Sequence, residues 1–264
     1  MTDNRTEDAR PQPRSGPGGP ARDAHTCEVW WARPAQVPAE LVSVLSPAER
    51  ERRAATVRQQ DRDRFTAAAA LLRLALGARL GIPPARVPID RTCPDCPDPH
   101  GRPRLPGSLG MDCSVARSAD QIAVAVSSGR TIGVDVEDVV EQHELDDLAV
   151  TALTPRERAA VARRPRRSRP RAVARLWTAK EAVLKATGDG LRICPGSVEI
   201  HATRDELRLL GLPRIPALAR GAVLHRLRPA AAVATLAALG PEPLTVREYP
   251  AADLYRNLPH IPAA

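Results

Sequence analysis

One signature occurs twice in this chain. A helix start, Ser46-Pro47-Ala48-Glu49, returns as Thr154-Pro155-Arg156-Glu157. In each, a hydroxyl residue is the N-cap, Pro takes the first helical position, and Glu three residues on closes a capping box. A second helical stretch follows each start, and the two stretches match: Phe65 with Trp177, Thr66 with Thr178, Ala70 with Ala182, Leu72 with Leu184, Arg73 with Lys185. Paired helices recurring in register predict an internal duplication of roughly a hundred residues. Strands are expected at 27–31, at 121–127 and 131–137 (a hairpin about Ser128-Gly129-Arg130), and near 196–202, 222–227, 231–237 and 244–249, from β-branched runs bounded by turn residues. The expected fold is α+β, with two pseudo-duplicated halves at 26–128 and 129–250. Residues 1–25 are read as a disordered tail and 251–264 as a C-terminal tail.

The two copies differ where chemistry is expected. Of 39 basic residues only Lys180 and Lys185 are lysine; every other is arginine. Arg cannot release a proton in a protein, whereas Lys can. The stretch 177–185 has good helix formers throughout and ends at Gly188 and Gly190. Trp177, Glu181 and Lys185 recur at i, i+4 and i+8 and share one helix face. At the matching place the first copy has Ala68-Ala69 where the second has Lys180-Glu181, so a site built on Glu181 is asymmetric.

The net charge of +8 and pI of about 10.0 favour a polyanionic partner: nucleic acid, a phosphorylated cofactor or an acidic protein. Aromatics at 2% argue against stacking on single strands. No apolar run approaches a membrane span. The first 25 residues lack the apolar centre of a signal peptide, and a cytoplasmic protein is expected. Five cysteines fit a reducing compartment better than a disulfide framework. Cys93-x-x-Cys96 followed by His100 has half the spacing of a zinc site, with no second Cys/His pair near in sequence; a Pro-rich loop is the alternative. The arginine-rich run 163–171 reads either as a mobile solvated loop or as a dock for an acidic partner.

In Gly133-Val-Asp-Val-Glu137, alternation buries Val134 and Val136 and sets Asp135 and Glu137 on the other face, with Cα atoms roughly 7 Å apart. Two carboxylates side by side call for a cation, and hard oxygen ligands suit Mg²⁺. Glu181 adds a third carboxylate and Lys185 a charge for a leaving phosphate, which is equipment for phosphoryl transfer.

These residues resemble the paired signature of the Sfp-type 4′-phosphopantetheinyl transferases, in spacing and in the trailing Gly188-x-Gly190-Leu191. The resemblance covers nearly all of residues 27–250 and implies an active site between the halves. It implies that Asp135, Glu137 and Glu181 hold Mg²⁺ (Mn²⁺ being the alternative) against the pyrophosphate of coenzyme A. Glu181 would help deprotonate a carrier-protein serine, and Lys185 would assist departure of 3′,5′-ADP. Arg102, within a segment similar to the family's Gly-Lys-Pro, is implied to reach coenzyme A phosphates, with Arg52, Arg64, Arg117 and Lys185. The implied partner is an acidic acyl or peptidyl carrier protein, with neither nucleic acid nor membrane, and the expected state is a monomer. Ala116-Arg117-Ser118 departs from the family's Ser-His-Ser, and Ala69 stands where many relatives have Arg. The competing readings are a metal-dependent nucleotide or coenzyme A hydrolase, a weakened transferase-like protein, and a basic nucleic-acid-binding protein. No helix-turn-helix, zinc-finger or RNA-binding signature favours the last.

Overall fold

Both capping boxes form. In the computed structural model, Ser46 caps α1 (Pro47–Ala55) and Thr154 caps α3 (Pro155–Ala162), each closed by its N3 glutamate. Residues 25–139, 148–203, 206–212, 215–219, 221–229 and 232–256 are described; the expected N-terminal tail, but for His25, and most of the expected C-terminal tail lie outside them. Each capped helix is followed by a long one, α2 (Gln59–Leu80) and α4 (Arg169–Thr187), which end on left-handed Gly81 and Gly188. The 163–171 run is structured: a 3-10 turn at Arg166–Ser168 leads into α4, whose first turn takes up Arg169, Pro170 and Arg171. Pro at the helix start, where the N–H has no intrahelical acceptor, permits this.

The capping glutamates do a second job. Glu49 pairs with Arg73 and Glu157 with Lys180, and all four side chains are buried. Arg73 also donates to the carbonyls of Pro84, Ala85 and Val87, and Lys180 to those of Ala152 and Pro195. By these roles Arg73 corresponds to Lys180, not to Lys185, and Gly81 to Gly188; the register read from the alanine-rich stretches is several residues off. In the corrected register Leu74 stands where α4 has Glu181, so the asymmetry remains.

The first sheet has the order β2-β3-β1-β9 and the second β4-β8-β7, with β5-β6 as a separate ribbon. The strands are β1 (Thr26–Ala32), β2 (Met111–Arg117), β3 (Ile122–Ser128), β4 (Ile132–Asp138), β5 (Glu199–Ala202), β6 (Leu207–Gly211), β7 (Ala222–Leu227), β8 (Ala232–Leu239) and β9 (Thr245–Pro250). In both sheets a hairpin (β2-β3, β7-β8) pairs antiparallel with an earlier strand (β1, β4). The boundary expected at 250 does not separate the halves. β9 returns to pair in parallel with β1, and α5 (Ala252–Tyr255) packs Leu254 and Tyr255 on the first half's core.

The expected β3-β4 hairpin is not one, since its strands belong to different sheets. Instead β4 lies beside β2 without a backbone ladder, and side chains of β2 and the residue after it supply the acceptors. Asp112 accepts from Ile132 N–H at 2.8 Å, Ser114 from Val134 N–H at 3.0 Å and Ser118 from Asp138 N–H at 2.9 Å. The alternate residue between them is Ala116, which has no oxygen to offer Val136. This seam joins the two sheets, and the candidate site straddles it.

Candidate active site at the seam

Gly133 sets how closely β4 lies on α4. A Cβ there would sit 2.1 Å from the Ala182 carbonyl oxygen and 2.5 Å from the Ala186 nitrogen, so strand and helix backbones touch. The i, i+4, i+8 face of α4 consequently covers the face of β4 that alternation left open. Trp177 Nε1 donates to Glu137 at 3.2 Å, and Lys185 Nζ donates to Asp135 Oδ1 at 2.6 Å and to the Val134 carbonyl at 3.2 Å. Lys185 thus pairs across to the strand, and not with Glu181 one turn back along its own helix.

Asp135 is only 5% exposed. Burial pushes its pKa up to about 6 despite Lys185, and the charge of Glu181 adds to the rise. Glu137 and Glu181 are also raised, each first by burial and then by a neighbouring carboxylate, Asp135 for Glu137 and Glu137 for Glu181. Three acids therefore sense one another with a single ammonium among them. Asp135 Oδ2 and Glu181 Oε1 are buried without a hydrogen-bond partner, a costly arrangement for carboxylates unless a cation fills it. Hard oxygen donors with open valences fit Mg²⁺. The ligand oxygens of the three carboxylates do not all lie within 4.8 Å of one another.

Beside this cluster lies a cavity of about 560 Å³, lined by Lys185 from α4 and its C-cap Gly188, Phe65 and Ala69 from α2, and Ser114 from β2. Its size is that of a small-molecule site. Arg52 and Arg117, both expected, are in its wall. Arg52 lies over the Phe65 ring at 5.3 Å and donates to the Pro99 carbonyl. Partial desolvation, and then the charges of Arg52 and Arg64, hold the Arg117 pKa down, the mark of cations gathered without enough anions. Arg64 faces a second cavity, shared with Arg117, Ser118 and Glu137, and is tied to Asp61 and the Ala119 carbonyl. Arg102 also lines the first cavity, but much of its guanidinium is engaged: it pairs with Asp112 and donates to the carbonyls of Ala186 and Ile132, pinning the seam.

The sequence reading passed over Arg91, Arg104 and Arg192, which also line the cavity. Arg91 carries a buried, unpartnered Nε, and burial lowers its pKa. No periodicity marks these residues, because they sit outside the long helices and strands. Lys180, singled out beside Lys185, belongs to the core and not to the site.

Residues 131–224 match the family profile described as the 4′-phosphopantetheinyl transferase superfamily. The chain is 33% identical over 155 residues to the 4′-phosphopantetheinyl transferase HetI of Nostoc sp., an overlap of 58% of this chain and 63% of that protein. It spans less than two thirds of the length of the curated relatives it matches, 63% and 59%. Among solved structures it is similar to a Bacillus anthracis holo-(acyl-carrier-protein) synthase in complex with CoA (3′,5′-ADP), with TM-score 0.36 and 19% identity over 43% of this chain and 98% of that one. It is also similar to the Thermotoga maritima holo-[acyl-carrier-protein] synthase, with TM-score 0.33 and 22% identity over 43% of this chain and 65% of that one. Residues 131–224, which hold β4, α4 and all three acids of the carboxylate cluster, are the part of this chain that matches the 4′-phosphopantetheinyl transferase superfamily.

Proposed function

We propose that this chain moves the 4′-phosphopantetheine group of coenzyme A onto a serine of a carrier protein and releases 3′,5′-ADP. The observation that carries the reading is the cluster of Asp135, Glu137 and Glu181, with two buried, unpartnered oxygens, at the edge of an arginine-walled cavity. Asp135, Glu137 and Glu181 would hold Mg²⁺, which when bound supplies charge neutralisation at a pyrophosphate. Arg52, Arg117, Arg91 and Arg104 supply cations for the phosphates of coenzyme A, with Arg64 near the second cavity. Arg102 acts mainly by holding the cavity wall to the seam.

The serine hydroxyl attacks the phosphorus that bears the pantetheine arm. A new P–O bond forms, the bond to the 3′,5′-ADP oxygen breaks, and the serine proton leaves. Glu181, whose pKa burial raises, takes that proton directly or through water. Lys185 stands at the cavity rim and meets the charge growing on the departing phosphate.

The carrier is expected to be acidic. α4 begins with arginines and has no acid in its first turn, an arrangement its dipole disfavours, and Arg175 is held below its usual pKa by burial and then by Arg171, Arg226 and Arg164. An acidic partner helix would relieve this crowding. The two halves are read as copies of one unit, and a cytoplasmic monomer using Mg²⁺ or Mn²⁺ is the working state. No helix among the described residues is long and apolar enough to cross a membrane.

The test supplies pantetheine-labelled coenzyme A, Mg²⁺ and an apo-carrier protein. Label on the carrier serine, lost in Glu181→Gln, supports the reading. Consumption of coenzyme A with no label on protein would replace it with a hydrolase.

A further inference from the structure

The loop between Asp90 and Arg104 is closed at its base and nearly empty inside. Asp90 and Arg104 exchange backbone hydrogen bonds at 2.9 and 2.8 Å, and Gly101 N–H donates to the Arg91 carbonyl. A Cβ at Gly101 would meet the Thr92 carbonyl oxygen at 2.3 Å, so the two arms of the loop touch. Between them, of residues 92–100 only Cys93 is buried. A segment with so little apolar content needs another source of order.

The loop tip holds one. Cys93, Cys96 and His100 place their ligand atoms within 4.8 Å of one another, and Cys96 Sγ lies 2.9 Å from His100 Nε2. The Asp95 N–H donates to Cys93 Sγ, and the Asp98 N–H bonds to Cys96 Sγ, each from two residues downstream. Backbone N–H groups directed at both sulfurs orient them as ligands. All three residues are donors that a soft or borderline divalent ion prefers, at distances a tetrahedral ion can draw together.

We propose that Cys93, Cys96 and His100 bind a zinc ion, separate from the carboxylate cluster, with water as its fourth ligand. Binding ionises two thiols and releases their two protons, leaving a neutral zinc–dithiolate centre. The ion fixes the loop that brings Arg91, Arg102 and Arg104 to the cavity, and Cys93 and His100 line that same wall. The site stands on these residues alone, whether or not the chain transfers phosphopantetheine.

The experiment measures metal in the full-length protein after equilibration with Zn²⁺ and desalting. Roughly one equivalent retained per chain is expected, falling to background in Cys96→Ser and His100→Ala but not in Cys194→Ser. Replacing Zn²⁺ by Co²⁺ should produce a thiolate charge-transfer band that Cys93→Ser weakens. Since a ligand variant risks misfolding, the parent protein provides an independent reading: Zn²⁺ should slow iodoacetamide labelling of the half-buried Cys96 while leaving the exposed Cys194 unaffected. Parent protein that retains no zinc, or in which labelling of Cys96 ignores Zn²⁺, overturns the proposal. A Cys93–Cys96 disulfide persisting in thiol-containing buffer overturns it equally.

Discussion

Replacing Gly133 by Ala tests whether the contact between β4 and α4 holds the site together. Elsewhere Gly→Ala stabilises by about 0.4–1 kcal/mol by restricting the unfolded chain, and Gly133 has no positive φ to forbid the change. Here the new Cβ would stand 2.1 Å from the Ala182 carbonyl oxygen, where real contacts essentially never fall below 3.0 Å. Strand and helix must therefore part by about 0.9 Å, and both nearest atoms are backbone and cannot swing aside. Overpacking of this kind costs about 1–3 kcal/mol, so the net expectation is a loss of up to about 2.5 kcal/mol. The same parting would stretch the 2.6 Å Lys185–Asp135 contact toward about 3.5 Å, past a useful hydrogen bond. A displacement of that size at reacting groups costs about 10²-fold in rate. Urea unfolding and the labelled-transfer assay read the two effects, with Gly107→Ala, which meets nothing within 4 Å, as the control expected within about 0.5 kcal/mol of the parent. A Gly133→Ala protein with the parent's urea midpoint and the parent's turnover would refute the reasoning.

Lys180→Met leaves Glu157 buried without its ammonium and should cost about 3–5 kcal/mol in urea unfolding; a loss under 1 would mean the pair is not the internal brace described. With a chelator present, Asp135 keeps its proton up to a pKa of about 6 in the folded state against 3.8 unfolded. Stability should therefore fall as pH rises across that interval, by roughly 2–3 kcal/mol at most, and the slope should flatten in Asp135→Asn. Glu137 and Glu181 act with the same sign, and an unchanged slope in the variant would deny Asp135 its part. Lys185→Arg should lower kcat about 10²-fold with folding intact, because a guanidinium does not fit between Asp135 and the Val134 carbonyl and gives up no proton. Activity within a few-fold of the parent would leave Lys185 a replaceable cation. Changing Arg163, Arg166, Arg167 and Arg171 to Gln should slow transfer at low salt and flatten its salt dependence, as loss of steering requires; unaltered kinetics would return the run to plain surface.

The parts of this fold written locally were legible in the sequence. Ser46 and Thr154 announce their helices through chemistry confined to four residues, and Gly188 ends α4 for a reason of its own backbone. The face shared by Trp177, Glu181 and Lys185 follows from helical period alone, and its fit onto β4 needed only a strand bearing Asp135 and Glu137. What escaped depends on distant partners. An alanine-rich helix such as α2 packs equally well in several registers, so only the buried Glu49–Arg73 pair reveals which one is used. β9 pairs with a strand more than half the chain away, and nothing in its own residues names β1. The arginines of the Pro-rich loop carry no periodicity, and their convergence appears only once Asp90 and Arg104 close its base.

The seam between β2 and β4 has a consequence for how such a cleft changes over time. In an ordinary sheet the bonds that join neighbouring strands come from the backbone, and almost any substitution leaves them in place. Here each rung is a side chain, Asp112, Ser114 or Ser118, and a single substitution can remove it or add one. Ala116 shows a position where the rung is missing opposite Val136. The width and stiffness of the joint between the two halves are thus heritable one residue at a time, without rebuilding either sheet. A cleft assembled this way can be loosened or tightened around a new substrate by point mutations that never touch the acids or the arginines inside it.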